Sequence, residues 1–237
     1  MSTTSFAVPV LPGQDARSVP AYFRDHLAEY EDSRDNAGVT LERVYFQPTP
    51  MGDFVVAYIE SREDFGVATL KMATSGKEID RFFVNALREI HGFDLTQPPP
   101  GPPPELVGAW SDPDVTERRP GMAFCAPLIP GQTDAGRAFA KEAYETRGGD
   151  LAESRRAVGQ SAETVFLNTT PQGDVICVYI EATDPRAANA ALAASDRPYD
   201  LWFKSQLKTI FPPFVDFDQP VPPVEQIWDW QRVAARV

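Results

Sequence analysis

Apolar and polar positions alternate over two short runs separated by a turn, and this unit occurs twice. Residues 44–60 read VYFQPTPMGDFVVAYIE and residues 165–181 read VFLNTTPQGDVICVYIE. Alternation with a period of two predicts strands, and the Pro/Thr/Gly/Asp turn between the runs predicts a β-hairpin in each copy. The same alternation sorts the side chains onto two faces. One face is aliphatic: Val44, Phe46, Val55, Ala57 and Ile59 in the first copy, Val165, Leu167, Ile176, Val178 and Ile180 in the second. This set suits packing beneath helices. The other face is mixed, with Arg43, Tyr45, Gln47, Phe54, Val56, Tyr58 and Glu60 matched by Thr164, Phe166, Asn168, Val175, Cys177, Tyr179 and Glu181.

Helical periods flank each hairpin. The copies open on short apolar strands that Pro-Gly stops, Phe6 to Gln14 and Phe124 to Gln132. Val19, Phe23, Leu27 and Tyr30 then recur at helical spacing, as do Ala135, Phe139 and Ala143. Asp15 or Ser18 is the expected cap of the first helix, Thr133 or Asp134 of the second. Pro20 is tolerated only in a first turn, which favours a start near Ser18. Twenty-four positions separate Gln14 from Gly38 and 27 separate Gln132 from Gly159, so the second copy carries three extra residues, with a break expected at Gly148-Gly149. After the hairpin a helical stretch follows in two pieces. It breaks at Thr74-Ser-Gly76 in one copy; in the other it is capped by Asp184 before Pro185 and restarts after Ser195 to Pro198. Asp80 and Asp200, at the restarts, read as carboxylates that favour the helix dipole. Each copy closes on a proline-rich tail and a tryptophan: Pro98 to Trp110, and Pro220 to Trp228 and Trp230. Such tails are stiff and extended.

The order β-α-β-β-α followed by a short strand is ferredoxin-like, an α+β class in which helices cover one sheet face. A second copy supplies cover for the other face. The expected fold is therefore two ferredoxin-like βαββαβ repeats packed sheet-to-sheet, residues 1–118 and 119–237, each with its proline-rich tail. On the opening Pro-Gly, the Gly-Asp hairpin and the Tyr-Ile-Glu strand end, nearly the whole chain resembles the dimeric α+β barrel superfamily. That superfamily includes cofactor-free antibiotic-biosynthesis-type monooxygenases, haem-degrading enzymes, chlorite dismutase-like haem proteins and members of unknown role. The resemblance implies a ligand space against the mixed face, lined by Arg43, Tyr45, Tyr58 and Glu60 from one copy and Thr164, Phe166, Tyr179 and Glu181 from the other.

Charge narrows the function. The formal net charge is −12, which argues against a nucleic-acid partner, because neutralising phosphates takes Lys and Arg. The excess is uneven. Residues 1–118 hold 10 Lys/Arg against 19 Asp/Glu, giving −9, and residues 119–237 hold 12 against 15, giving −3. No apolar run approaches the ~20 residues that span a bilayer, and residues 1–20 lack the pattern of a signal peptide. Cys125 and Cys177 make no disulfide framework and read as buried packing residues, so a soluble cytoplasmic protein with two reduced thiols is expected. A small-molecule ligand is the expected partner, with no membrane partner, and a homodimer of the pseudo-dimeric chain is left open.

Catalytic equipment is sparse. The chain has two histidines, His26 and His91, both in the first copy. The proximal haem ligand that chlorite dismutase-like relatives imply is thus missing from the second copy, and the Asn-His-Trp set of haem-degrading relatives has no match. No cofactor and no metal site is expected. His91, at a helix end, reads as a side chain favoured by the dipole. Glu60 and Glu181 end matched strands, and ion-paired strand ends are the expected reading over an acid/base pair. Arg43 is the charged residue in the middle of the mixed face, expected either to pair with Glu60 or to meet an anionic ligand. Two functions follow: a small-molecule binding or structural pseudo-dimer, or a cofactor-independent monooxygenase or isomerase acting on an aromatic or polyketide-like substrate.

Overall fold

A computed structural model of the chain describes residues 1–97 and 101–232; residues 98–100, the first prolines of the expected first tail, lie outside the described residues. The elements run β1 (Ser2–Pro9), α1 (Ser18–Asp25), α2 (Leu27–Ala37), β2 (Val39–Thr49), β3 (Gly52–Ser61), α3 (Phe65–Thr74), α4 (Glu78–His91) and β4 (Glu105–Ser111). They continue as β5 (Gly121–Pro127), α5 (Thr133–Lys141), a π-helical turn over Glu142–Thr146, α6 (Gly148–Ala157), β6 (Gln160–Thr170), β7 (Gly173–Ala182), α7 (Pro185–Ala194), α8 (Pro198–Ile210) and β8 (Glu225–Gln231). The fold is α+β, with two four-stranded antiparallel sheets ordered β1-β3-β2-β8 and β4-β6-β7-β5. No helix among the described residues is long and apolar enough to cross a membrane.

Both hairpins form where alternation puts them, with turns at Thr49–Gly52 and Thr170–Gly173. In the first sheet the aliphatic face packs under helices. Val39, Ala57, Ile59 and Val44 meet Phe23, Tyr30, Ala68, Met72 and Ile79, while Phe46 and Val55 meet Ala86 and Ile90. In the second sheet Leu167 and Ile176 pack with Ile210, Phe211 and Leu207.

Three local features differ from the sequence expectation. The first helix is interrupted: His26 leaves the helical region at φ −125° and ψ 40°, so Leu27 starts a new helix and is exposed instead of continuing the buried row. The caps fall on Arg17 and Gln132, with Asp15 accepting from the Arg17 N–H at 3.0 Å. The helix of the second copy ends one residue ahead of the expected Gly148-Gly149 break, at Arg147 (φ −108°, ψ 25°) behind a π-helical turn, and Gly148 starts the next helix. The restarts hold as expected: Asp184 accepts from the Ala187 N–H at 3.0 Å with Pro185 in the first turn, and α8 begins at Pro198. At the end of α2, Gly38 adopts φ +83° with the Glu63 side chain 2.7 Å from where a Cβ would stand, so glycine is required there on two counts.

The closing strands are exchanged. β4, which ends the first sequence repeat, pairs with β6 (Ala109 opposite Thr164), and β8, which ends the second, pairs with β2 (Val44 opposite Trp228). The compact units are accordingly Met1–Pro103 with Glu225–Val237, and Pro104–Val224. The charged linker from Asp112 to Gly121 lies inside the second unit, tied by the Asp112 N–H to the Ser161 carbonyl and by the Ala182 N–H to the Pro120 carbonyl.

Candidate functional site

In the first unit the mixed face of β2 and β3 is built as alternation predicts. Arg43 stands opposite Tyr58 and Tyr45 opposite Val56. Arg43, Tyr45, Gln47, Tyr58 and Glu60 are all buried, none more than 6% exposed. Burying such groups is tolerable only when their polar atoms are bonded. The Tyr58 hydroxyl donates to Glu60 Oε1 at 2.8 Å. Arg43 Nε donates to Asp229 Oδ1 of β8 at 3.1 Å, and Gln226 Nε2 reaches the Tyr45 hydroxyl at 3.4 Å. Arg43 is thus ion-paired with Asp229, a partner outside the first repeat. The exchanged strand brings a carboxylate directly opposite Arg43, and no reading of the first repeat alone could supply it.

The second unit repeats the motif with one addition. The Tyr179 hydroxyl donates to Glu181 Oε1 at 2.6 Å, and Arg118 Nη1, from the linker, donates to the same oxygen at 2.7 Å. The Arg119 N–H approaches Glu181 Oε2 at 3.4 Å. Glu181 is thus an ion-paired strand end. Phe166 and Tyr179 are buried, and Thr164 is in register with Tyr179. The Thr164 hydroxyl is buried and has no hydrogen-bond partner among the described residues. Each unit therefore brings its own four expected residues onto one sheet face, with a buried Tyr–Glu pair at the strand end.

Neither histidine is on these faces. His26 Nδ1 bonds the Tyr22 carbonyl at 3.0 Å and its ring stacks on Tyr22. His91 Nδ1 bonds the Pro9 carbonyl at 2.8 Å, and burial lowers its pKa against the opposing effect of that bond. His91 is the last residue of α4, and desolvation, which disfavours the charged form, is the larger influence on its ring. Among the described residues no three His, Cys, Asp or Glu side chains gather to hold a metal ion.

A second polar constellation, on the helix side of each sheet, went unread in the sequence. Arg34 is wholly buried, with Nε 2.8 Å from Glu42 Oε2, which also accepts from the Tyr30 hydroxyl at 2.8 Å. Asp80 accepts from Ser33 and from Ser75, each at 2.5 Å, and lies 3.7 Å from Arg34. In the second unit Arg155 is held by Glu163 at 2.6 Å, Tyr144 donates to Glu163, and Asp200 accepts from Ser154 and Ser195. Burial alone would lower both arginine pKa values, but Glu42 and Tyr30, or Glu163 and Tyr144, more than reverse this and raise them. The guanidinium charge is retained in the interior. Asp80 and Asp200, in the first turns of their helices as expected, also serve as network acceptors. The signal was present in the chain as Ser-Arg-x3-Gly-x3-Glu, at residues 33–42 and 154–163.

No protein-family model matches the chain, and no curated protein matches it. Solved structures do. An anthrone oxidase-like protein aligns over 99% of this chain and 96% of its own, at 11% identity and a TM-score of 0.53. A candidate monooxygenase from Lactobacillus acidophilus NCFM aligns over 97% of this chain and 94% of its own, at 8% identity and a TM-score of 0.51. The chain shares its tandem ferredoxin-like α+β fold with these structures. At these identities the likeness is one of fold, and function has to be argued from side chains.

Proposed function

We propose that the chain is a small-molecule binding protein whose ligand, a planar aromatic compound bearing hydrogen-bonding oxygens, lies against the mixed face of its sheets. One observation carries this reading: the same face in both units pairs a buried tyrosine hydroxyl with a buried carboxylate, Tyr58 with Glu60 and Tyr179 with Glu181. A core needs neither group, and apolar residues would fill it without the desolvation of a carboxylate. In the first unit Tyr45 supplies aromatic surface for stacking and Arg43 and Gln47 supply polar contacts; in the second Phe166 and Thr164 take these parts. The test is thermal stabilisation by a panel of hydroxylated aromatic acids and ketones. At least one ligand is expected to raise the melting temperature, and Tyr58→Phe or Tyr179→Phe, which removes only a hydroxyl, is expected to reduce its affinity about tenfold. Retention of full affinity in both variants would count decisively against the site.

A second reading, oxygenation of such a ligand, is favoured by the 2.8 Å bond between Tyr58 and Glu60. A carboxylate in a dry site can accept a proton from an acidic carbon beside an aryl ketone, and the phenol can bond the resulting enolate oxygen. The carbanion then passes an electron to dioxygen, the two radicals join as a hydroperoxide, and breaking its O–O bond releases water and leaves a carbonyl, with no protein redox group required. The fold shared with an anthrone oxidase-like protein makes an anthrone the first substrate to try. Oxygen consumption with anthrone that Glu60→Gln abolishes would support it; no consumption above the uncatalysed rate leaves the binding reading standing and removes this one.

A further inference from the structure

β5 and β7 pair without a register break from Gly121 opposite Glu181 to Pro127 opposite Val175, and Cys125 stands directly opposite Cys177. Two backbone bonds at the ends of this ladder fix the type of each pair. The Leu128 N–H donates to the Asp174 carbonyl at 2.9 Å, and the Ala182 N–H donates to the Pro120 carbonyl at 3.1 Å. Both continue the same register, so 128/174 and 120/182 are hydrogen-bonded pairs. Such pairs recur at every second residue of an antiparallel ladder. Counting from either end, positions 122, 124 and 126 are hydrogen-bonded and 121, 123, 125 and 127 are not. Pro127, which has no N–H to give, falls where none is needed. Cys125 and Cys177 therefore form a non-hydrogen-bonded pair, the kind in which opposed Cα atoms approach to about 4.5 Å with side chains close on one face. That separation lies within the ~4.4–6.8 Å spanned by disulfides.

We propose that Cys125 and Cys177 are a dithiol site that closes to an intramolecular cross-strand disulfide under a small peroxide oxidant. The Cys125 sulfur attacks the O–O bond of hydrogen peroxide, giving a sulfenic acid and one water. The Cys177 sulfur then displaces the hydroxyl, which leaves with a proton as a second water, and the S–S bond forms. Two thiols and one peroxide become one disulfide and two waters. Cys125 reacts first because it is 7% exposed and Cys177 is 0% exposed. β5 is an edge strand, so it can open without disturbing the rest of the sheet. Opening is needed, since burial pushes the Cys125 thiol up to about 12 and the thiolate is the reactive form. Cys177 lies opposite Phe166 and alternates with Tyr179, which places the bridge on the mixed face. The proposal does not depend on a ligand binding there.

Two measurements on the full chain test it. After peroxide treatment of the folded protein and alkylation in denaturant, a species lighter by two hydrogens and carrying no alkyl group is expected, monomeric on a non-reducing gel and reverted by dithiothreitol. Because access through β5 sets that rate, refolding in a glutathione redox buffer provides the equilibrium measurement. The effective concentration of the two thiols is expected to be at least tenfold higher in the folded than in the unfolded chain. Cys125→Ser and Cys177→Ser should each take up glutathione or sulfenic acid with no bridge. Equal effective concentrations in the two states, or oxidation that yields only intermolecular dimers or sulfinic acid, would overturn the proposal.

Discussion

Arg34 and Arg155 are wholly buried guanidiniums, and what holds each in place is a carboxylate two or three ångströms away on the neighbouring strand. Aromatic faces cover the cations: Tyr30, Phe83 and Phe23 around Arg34, and Phe203 at 4.6 Å from Arg155. Removing one member of such a pair leaves the other charge stranded. Arg155→Met is therefore expected to destabilise the chain by about 3–5 kcal/mol in urea unfolding, and Arg155→Met with Glu163→Leu by less than Arg155→Met alone. A second prediction concerns His91. Its pKa is lowered by burial, so the unfolded chain, at the ordinary value of about 6.5, binds the proton more readily than the native chain. The stability that neutral His91 confers is complete above that value and is lost as pH falls through it toward the native pKa. Unfolding free energy should drop as pH falls below the ordinary histidine value of about 6.5, and His91→Asn should flatten that part of the profile. An unchanged profile in the variant would remove His91 as the cause.

At the scale of elements, the π-helical turn and the two closing strands are one compensated exchange. Aligned on Glu105 and Glu225, β4 carries Gly108 where β8 carries Trp228. In the first unit Trp228 Nε1 donates to the Tyr30 hydroxyl at 2.8 Å, and Tyr30 in turn donates to Glu42. The second unit has no such tryptophan. The π-helical turn instead brings in Tyr144, whose ring would lie 2.6 Å from a Cβ on Gly108 and whose hydroxyl donates to Glu163. One bulky side chain from the π-helical turn thus fills the volume that two fill elsewhere. Gly108→Ala should cost about 1–3 kcal/mol by overpacking. In the background of Tyr144→Ala the same change should cost little, a coupling that a double-mutant cycle in thermal unfolding measures directly. Trp228→Ala should cost about 3–5 kcal/mol, since it opens a cavity and removes the donor that Tyr30 accepts from.

At the scale of the molecule, the exchanged strands decide which fragments can fold. Residues 104–224 contain all four strands of the second sheet, whereas residues 119–237 lack β4 and end in a strand that belongs to the other sheet. A fragment of residues 104–224 is expected to unfold cooperatively with native-like protection of β6 amides in hydrogen exchange. The 119–237 fragment should leave the edge of β6 open and exchange there rapidly. Truncation before Glu225 should correspondingly expose β2 and unpair Arg43 from Asp229, lowering protection in the first unit and sparing the second. Equal behaviour of the two fragments would contradict the exchange.

The pattern of the chain settled what is local. Period-two alternation set the hairpins, their turns and both faces, because side-chain direction along a strand follows from the backbone alone. Pro185, Pro198 and Gly38 set helix ends, because proline and a positive φ act within a few residues. The helix-side networks were half legible: Ser-Arg-x3-Gly-x3-Glu is printed twice, but a buried arginine looks like a surface one until its aspartate, some 45 residues on, is brought beside it. What tertiary structure alone decided is everything that needs a partner distant in sequence. Asp229 meets Arg43, 186 residues away, because β8 docks on β2. Arg118 reaches Glu181 because the linker folds back over the end of β7. Alternation states which face a side chain occupies, and only the pairing of strands states what stands opposite it.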